Sequence, residues 1–351
     1  MSSAKRNPVI SLVTLVALAI LLSASSPLLR AQDDEAAIHV NSAKNAPYTY
    51  SKVHYHILPA NTVAGHAALA AHELGTKPPK KRFLATIPLV PAPGFYPDDL
   101  DFFGGPVVTS MESHNVYLNA SSSPCKTVAK CWGNPEQFLT DLGMSTFIHV
   151  TDQYTGVSGT YTNGAHVNAT FPIPTGVIDQ SDLFGIVHDA AVKLGTPSGY
   201  GHEYHVFLPP GVDTCFDLSA VCYSPDNPSS FYFCAYHGSV TFSDIGHVLF
   251  SIQPDQNVPG CQAAPPNPNS ELIDSTNSVL SHETIETITD PDINAWIADE
   301  SLVASGDEIG DLCEPTGNNN GQFLDPTVTL NGHKYEIQLE YSNHYHACAP
   351  K

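Results

Sequence analysis

The sequence predicts an α+β domain in which a mixed sheet supports a late, metal-bearing helix, with a disulfide-linked C-terminal subdomain completing the site. Three features carry that prediction. Aromatic and β-branched runs at 231–240 and 247–252 read as strands. The stretch Glu271–Thr289 reads as one helix, capped by Asn269 or Ser270 and ended by Pro291. Eight cysteines, at 125, 131, 215, 222, 234, 261, 313 and 348, form an even set that suits disulfides.

Residues 1–31 have the layout of a secretory signal peptide. Lys5 and Arg6 precede an apolar run from Val9 to Leu22, and the small residues Ser23, Ala24 and Ser25 follow. That run is short for a bilayer span, and no later segment reads as one. Cleavage after Ser25 and cleavage after Ala31 both fit. Removing residues 1–31 leaves 11 basic residues against 35 acidic ones, a net charge of −24. This balance argues against nucleic acid as a partner, because phosphate binding rests on Lys and Arg.

Residues 32–82 read as an N-terminal extension, with a short helix at 62–74 and an exposed basic, proline-rich linker at 77–82. Within it, His72-Glu73 lacks a ligand-type residue four places after the histidine. The globular domain is expected over 83–351. Gly104-Gly105-Pro106-Val107-Val108 is a turn leading into a strand, with strands at 116–118 and 146–150 and a helix at 135–142 between them. Leu183, Ile186, Val187, Ala190, Ala191 and Leu194 form one helical face over 181–194, closed by Gly195. A strand at 205–208 stops at Pro209-Pro210. Near the end, 327–330 and 335–339 flank Asn331-Gly332, a hairpin signal.

Proximity along the chain favours pairing Cys125 with Cys131, Cys215 with Cys222, Cys234 with Cys261 and Cys313 with Cys348. Eight cysteines nevertheless allow about 105 pairings. None has the Cys-x-x-Cys layout of a structural zinc ribbon.

The sharpest motif is Ser281-His282-Glu283-Thr284-Ile285-Glu286. At about 100° per residue, His282, Glu283, Glu286, Thr289 and Asp290 fall on one arc, opposite Leu280 and Ile288. From Lys193 to Lys334 there is no intervening Lys or Arg, although that stretch carries nineteen Asp and Glu. Carboxylates clustered there must be neutralised by a metal ion, by protons or by water. His-Glu-x-x-Glu is the zinc-helix pattern His-Glu-x-x-His with its second histidine replaced by a carboxylate. His282 and Glu286 are then metal ligands, and Glu283 is the catalytic general base. The third ligand comes from Glu308 or Asp311, with His237 more distant; Glu308 follows Glu286 by 22 residues. Zn2+ is the expected ion. Ca2+ competes through its preference for oxygen, but makes poor use of His282. The bland reading is a solvated helix face.

Other histidines carry less. His202-Glu203 and His205 read as structural or surface residues. His344 and His346 alternate along what reads as a wet strand edge. No Gly-x-Ser-x-Gly elbow, cysteine-nucleophile setting or phosphate-cradling loop occurs.

Several blocks resemble the EXORDIUM-like, or phosphate-induced, extracellular family. They are Phe233-Cys234-Ala235-Tyr236-His237, Pro259-Gly260-Cys261, the 281–286 motif, Pro291 with Asn294-Ala295-Trp296, and Glu308-Ile309-Gly310-Asp311-Leu312-Cys313-Glu314. Gly104–Val108 resembles that family's opening strand, and the similarity spans Gly104 to Cys348. The resemblance implies a secreted protein, in plants tied to the cell wall and growth, without naming a reaction. Thr289-Asp290 before Pro291, Ile297 and Pro315 depart from the plant pattern. The late helix is also similar to that of zincin metallopeptidases. The two expectations are therefore a secreted zinc metallohydrolase acting on a peptide or cell-envelope substrate, and a non-catalytic EXORDIUM-like protein holding a structural ion or none.

Overall fold

A computed structural model describes residues 37–62, 65 and 99–349, apart from 41, 123, 217–220, 299–306, 315–317 and 319–320. The expected signal peptide, most of the helix at 62–74 with His72-Glu73, and the linker at 77–82 lie outside the described residues.

The framework is a mixed sheet of eight strands: β1 (Ile38–His39), β2 (Tyr50–Pro59), β3 (Ser110–Leu118), β4 (Thr160–Asn163), β5 (Val167–Thr170), β6 (His202–Phe207), β7 (Phe233–Phe242) and β8 (Gly246–Gln253). Their order is β1-β5-β3-β6-β8-β7-β2, with β4 also paired to β3. Pairing is parallel from β1 to β8, and β7 alone runs against its neighbours β8 and β2. Three helices matter to the layering: α1 (Pro135–Gly143), α2 (Gln180–Leu194) and α3 (Glu271–Thr289).

Strand alternation sends side chains into two cores, one on each face. Val116, Leu118, Val206, Phe250 and Ile252 face the core that includes Leu183, Ile186 and Val187 of α2. Tyr117, Phe207 and Leu249 face the core that includes Phe138 and Leu142 of α1 and Leu280, Ile285 and Ile288 of α3. The sheet is thus covered on both sides, as a largely parallel sheet requires.

Helix ends follow local chemistry. The side chain of Asn134 accepts from Gln137 N, that of Asp179 from Asp182 N, and that of Ser270 from Ile273 N. Each satisfies an otherwise orphaned first-turn donor. The hairpin forms at Asn331-Gly332, which take φ of 46° and 89°, but its second strand is His333–Glu336 and not 335–339, pairing with Thr327–Leu330. All four cysteine pairs favoured by proximity are bonded. Among the described residues, no helix is long and apolar enough to cross a membrane.

Four expectations are corrected. The segment 32–82 is not wholly an extension, because β2 pairs with β7 over most of its length and places Ile57 and Leu58 in the core. The C-terminal part is not a separate subdomain, since residues 36–351 form one compact unit; Leu330, Tyr335 and Ile337 pack into the same core as α3. Residues 146–150 are not a strand. Ile148–Thr151 is a 3-10 turn, where Ser145 Oγ accepts from Phe147 N at 3.2 Å and Thr151 Oγ1 donates to Ile148 O at 2.8 Å. Such local bonds offer β-branched residues an alternative to a ladder. His344 and His346 lie between two short strands rather than along one, with His346 at φ 54°.

Asp141 on α1 ties this helix to the C-terminal hairpin. It accepts from Gln137 Nε2 and Asn331 Nδ2, both at 3.0 Å, from Tyr335 Oη at 2.5 Å, and it lies 2.7 Å from His333 Nδ1. Burial pushes its carboxyl up, but these donors outweigh burial and hold it below the usual carboxylate range. A carboxyl depressed on folding adds stability above its unfolded pKa of about 3.9, and that stability is lost as pH falls through the folded value. Urea unfolding of Asp141→Asn is expected to show a loss of about 1–2 kcal/mol at neutral pH. Its stability should also decline less steeply than wild type below about pH 4.

Candidate metal centre

Helix α3 lies on β7 and β8 and is buried along its length, every residue from Asp274 to Thr289 being inside. Its apolar side was legible in the sequence. The opposite side meets not solvent but a polar inner face of the sheet, with Asn115 on β3, Glu203 and His205 on β6, Ser251 and Gln253 on β8, His237 and Ser239 on β7, and His56 on β2, all buried. Thr287 Oγ1 donates to Glu203 Oε1 at 2.9 Å, and His205 Nδ1 lies 2.7 Å from Ser251 Oγ. His205 and Glu203 are therefore interior groups, not surface ones.

All five residues singled out in the sequence converge here. His282, Glu283, Glu286, Glu308 and Asp311 are each 0% exposed. His282 Nε2 lies 3.0 Å from Glu286 Oε2 and 3.8 Å from Asp311 Oδ1. Two further imidazoles enter from the sheet. The β2–β7 register pairs His56 directly with His237. His237 Nδ1 is 3.2 Å from Glu283 Oε2 and 3.5 Å from Glu286 Oε2, while its Nε2 is 3.6 Å from Glu308 Oε2. His56 Nε2 is 2.8 Å from Asp311 Oδ2, and its Nδ1 is 3.5 Å from Glu308 Oε1. Three overlapping triads of close ligand atoms result, His56/Glu286/Asp311, His237/Glu286/Glu308 and His282/Glu283/Glu286, and Glu286 is common to all.

The acidic loop is held tightly against the helix. Glu308 N donates to Asp311 Oδ2 at 3.1 Å, and Asp311 N donates to Glu286 Oε1 at 3.3 Å. Cys313–Cys348 anchors the chain just beyond, and Tyr341 N donates to Ile309 O at 3.0 Å. His282 Nδ1 faces Gln338 Oε1 at 3.3 Å, so its proton belongs there and Nε2 is left as a donor atom. Gln338 Nε2 in turn donates to Gly310 O.

Burial sets the electrostatics. It pushes Glu283 and Glu308 well above the ordinary carboxylate range and Asp290 to about 8. It also opposes charge on His282 and His56, but Glu286 beside the first, and Asp311 and Glu308 beside the second, hold both well above the usual imidazole value. His237 goes the other way, kept neutral by burial and by the two neighbouring imidazoles. Asp311 is lowered, the His56 partner outweighing burial.

Even so, Glu283 Oε1, Asp290 Oδ2 and both oxygens of Glu308 lack any hydrogen bond, while His282 Nε2 and Glu286 Oε2 face each other at 3.0 Å. Both oxygens of Glu314 and of Glu340 are likewise buried and unbonded. A buried polar atom without a partner costs about 1–3 kcal/mol, more if charged. Four donors at zinc–nitrogen and zinc–oxygen distances of roughly 2.0–2.1 Å lie about 3.4 Å apart. The separations of 3.0, 3.5 and 3.8 Å among His282, Glu286, His237 and Asp311 bracket that value. The donor set fits a divalent cation with an imidazole preference.

Sequence reasoning missed His56, because 32–82 was read as an extension; the alternating Val53-His54-Tyr55-His56-Ile57 pattern was the overlooked strand signal. It left His237 as a distant alternative, since only the β7 position shows that this side chain faces α3. No family model matches the chain, and no curated protein or solved structure matches it either.

Gly310 lies so close to the cluster that a Cβ there would be 2.5 Å from His282 Nδ1 and 2.9 Å from Glu286 Oε1. Gly310→Ala is expected to destabilise the protein by about 1–3 kcal/mol through overpacking, read as a lower urea midpoint at unchanged m-value.

Proposed function

We propose that this chain is an exported zinc-dependent metallohydrolase of peptidase-like type, with His282, Glu286 and His237 as ligands and Asp311 or Glu308 completing the set. One observation carries the reading: three triads of histidine and carboxylate ligand atoms, each within 4.8 Å and all sharing Glu286, meet in an interior whose sequence neighbourhood has no Lys or Arg from Lys193 to Lys334. Zinc at this place supplies Lewis acidity toward a water and a carbonyl oxygen. Glu283, one residue from His282 and with Oε1 unbonded, would be the general base toward a water held there. His56 orients Asp311, and Gln338 orients His282, as outer-shell partners do. A fold of zincin type is part of this proposal, as is an extracellular or periplasmic location, which the four disulfides favour. The substrate class is a peptide or a cell-envelope amide.

A second reading has its own support. The donors are fully buried, and closed sites are those of structural zinc, whereas catalytic sites keep an open position. In that reading the chain is a non-catalytic extracellular protein of EXORDIUM-like type, and the ion holds α3 to the sheet and to the acidic loop.

Elemental analysis of the purified full chain should find stoichiometric zinc that is lost on His282→Ala. A metal-free protein that takes up no added zinc would falsify both metal readings. His56→Ala should weaken zinc binding by about 10–100-fold, the effect of removing an outer-shell partner. Glu283→Gln should retain the metal and lower peptide hydrolysis by about 10²–10⁴-fold. Zinc-loaded wild type that hydrolyses no member of a broad peptide library selects the structural reading.

A further inference from the structure

The opposite face of the sheet carries a second, independent group of metal-type side chains. Glu112 and His114 lie two apart on β3 and share a face. The parallel β3–β6 register sets His202 opposite Glu112. His114 Nε2 is 3.0 Å from His202 Nδ1 and 3.2 Å from Glu112 Oε1, and the three donor atoms lie within 4.8 Å of one another. This face belongs to α2, not α3: Tyr204, between the two faces in sequence, stacks on His114 at 5.4 Å, whereas Glu203 points to Thr287.

The geometry of His114 is the telling feature. Its Nδ1 lies 2.9 Å from the carbonyl oxygen of Ala165, which only accepts, so Nδ1 bears the proton and Nε2 presents a lone pair. That lone pair is aimed between His202 Nδ1 at 3.0 Å and a carboxylate oxygen of Glu112 at 3.2 Å, the arrangement of three donors about one point. His114 is only 2% exposed, so the group gathers at the inner end of Glu112 and His202 and not on open surface. The imidazole is held in place from outside by the same device that orients zinc-binding histidines. Gly164 closes over the group: a Cβ there would be 2.5 Å from Glu112 Oε1 and 2.6 Å from His114 Cε1. On the other side, a depression lined by Thr196, Ser198, Gly199, His202, Tyr204 and His247 leads to His202.

We propose that Glu112, His114 and His202 form a second metal site, separate from the centre under α3, that takes a transition-metal dication of the zinc type. Two imidazole nitrogens among three donors select zinc, copper(II) or nickel over calcium and magnesium. Glu112 and His202 are partly exposed, so an ion held there is exchangeable, unlike one enclosed at the buried cluster.

The test uses the full chain, stripped with chelator and titrated with Co2+, whose visible absorption reports nitrogen ligation. His202→Ala and Glu112→Gln, both at partly exposed positions, should each remove one Co2+ equivalent or weaken it by more than about 10–100-fold, the loss expected for an outer-shell change alone. Neither should alter the equivalent that His282→Ala removes. In His282→Ala protein, one equivalent should persist and disappear when His202→Ala is added. Uptake unchanged by both His202→Ala and Glu112→Gln overturns the second site whatever His282→Ala does. If wild type takes up a single equivalent, sensitive to His282→Ala only, the second site is overturned while the buried centre stands.

Discussion

The dominant physical constraint is the desolvation of acid. Glu283, Glu286, Asp290, Glu308 and Asp311 are fully buried, within a stretch of sequence that has no Lys or Arg from Lys193 to Lys334. Ionised carboxylates cannot be carried into such an interior singly, because the cost of leaving water is several kcal/mol per charge even after relaxation. The fold meets this in part with three imidazoles and in part by raising the carboxyl pKa values. Glu283 Oε1 and both oxygens of Glu308 remain without a hydrogen bond. A cluster arranged in that way is costly as a structural core and well suited to a cation, and this contrast gives the metal reading its force.

Four chain segments must meet for the cluster to exist: α3, the acidic loop, β2 and β7. Helix α3 contributes His282, Glu283 and Glu286 one turn apart. The acidic loop contributes Glu308 and Asp311, held by Cys313–Cys348 and by a backbone bond from Tyr341. The two-strand step β2–β7 contributes His56 and His237 as a cross-strand pair. A polar inner sheet face is unusual, since sheet faces normally bury apolar side chains, and here the apolar load is carried by the core shared by α1, α3 and the C-terminal hairpin. Polar residues at these positions therefore mark where the fold gives up hydrophobic stabilisation for chemistry.

Local structure was largely legible in the sequence. The ends of α3, the face of α2, the Asn331-Gly332 hairpin and the four cysteine pairs follow from spacing, capping and chain proximity, interactions that span a few residues or one turn. Where such cues were weak, reading failed. The β-branched run at 146–150 forms a 3-10 turn because Ser145 and Thr151 bond locally. The β2 segment alternates only over 53–57, too short a signal to stand out from the extension around it, although it is a strand of the main sheet.

By itself, then, the sequence determined which residue types stand on one arc of α3 and that no ammonium or guanidinium group between Lys193 and Lys334 is available to neutralise them. Tertiary structure alone decided that this arc is dry, that His56 and His237 face it, and that Glu286 is shared by all three donor triads. Helical periodicity says which side chains share a face but not what covers that face. Burial and strand register are non-local, and only they turn an acidic stripe into an enclosed group of ligand atoms.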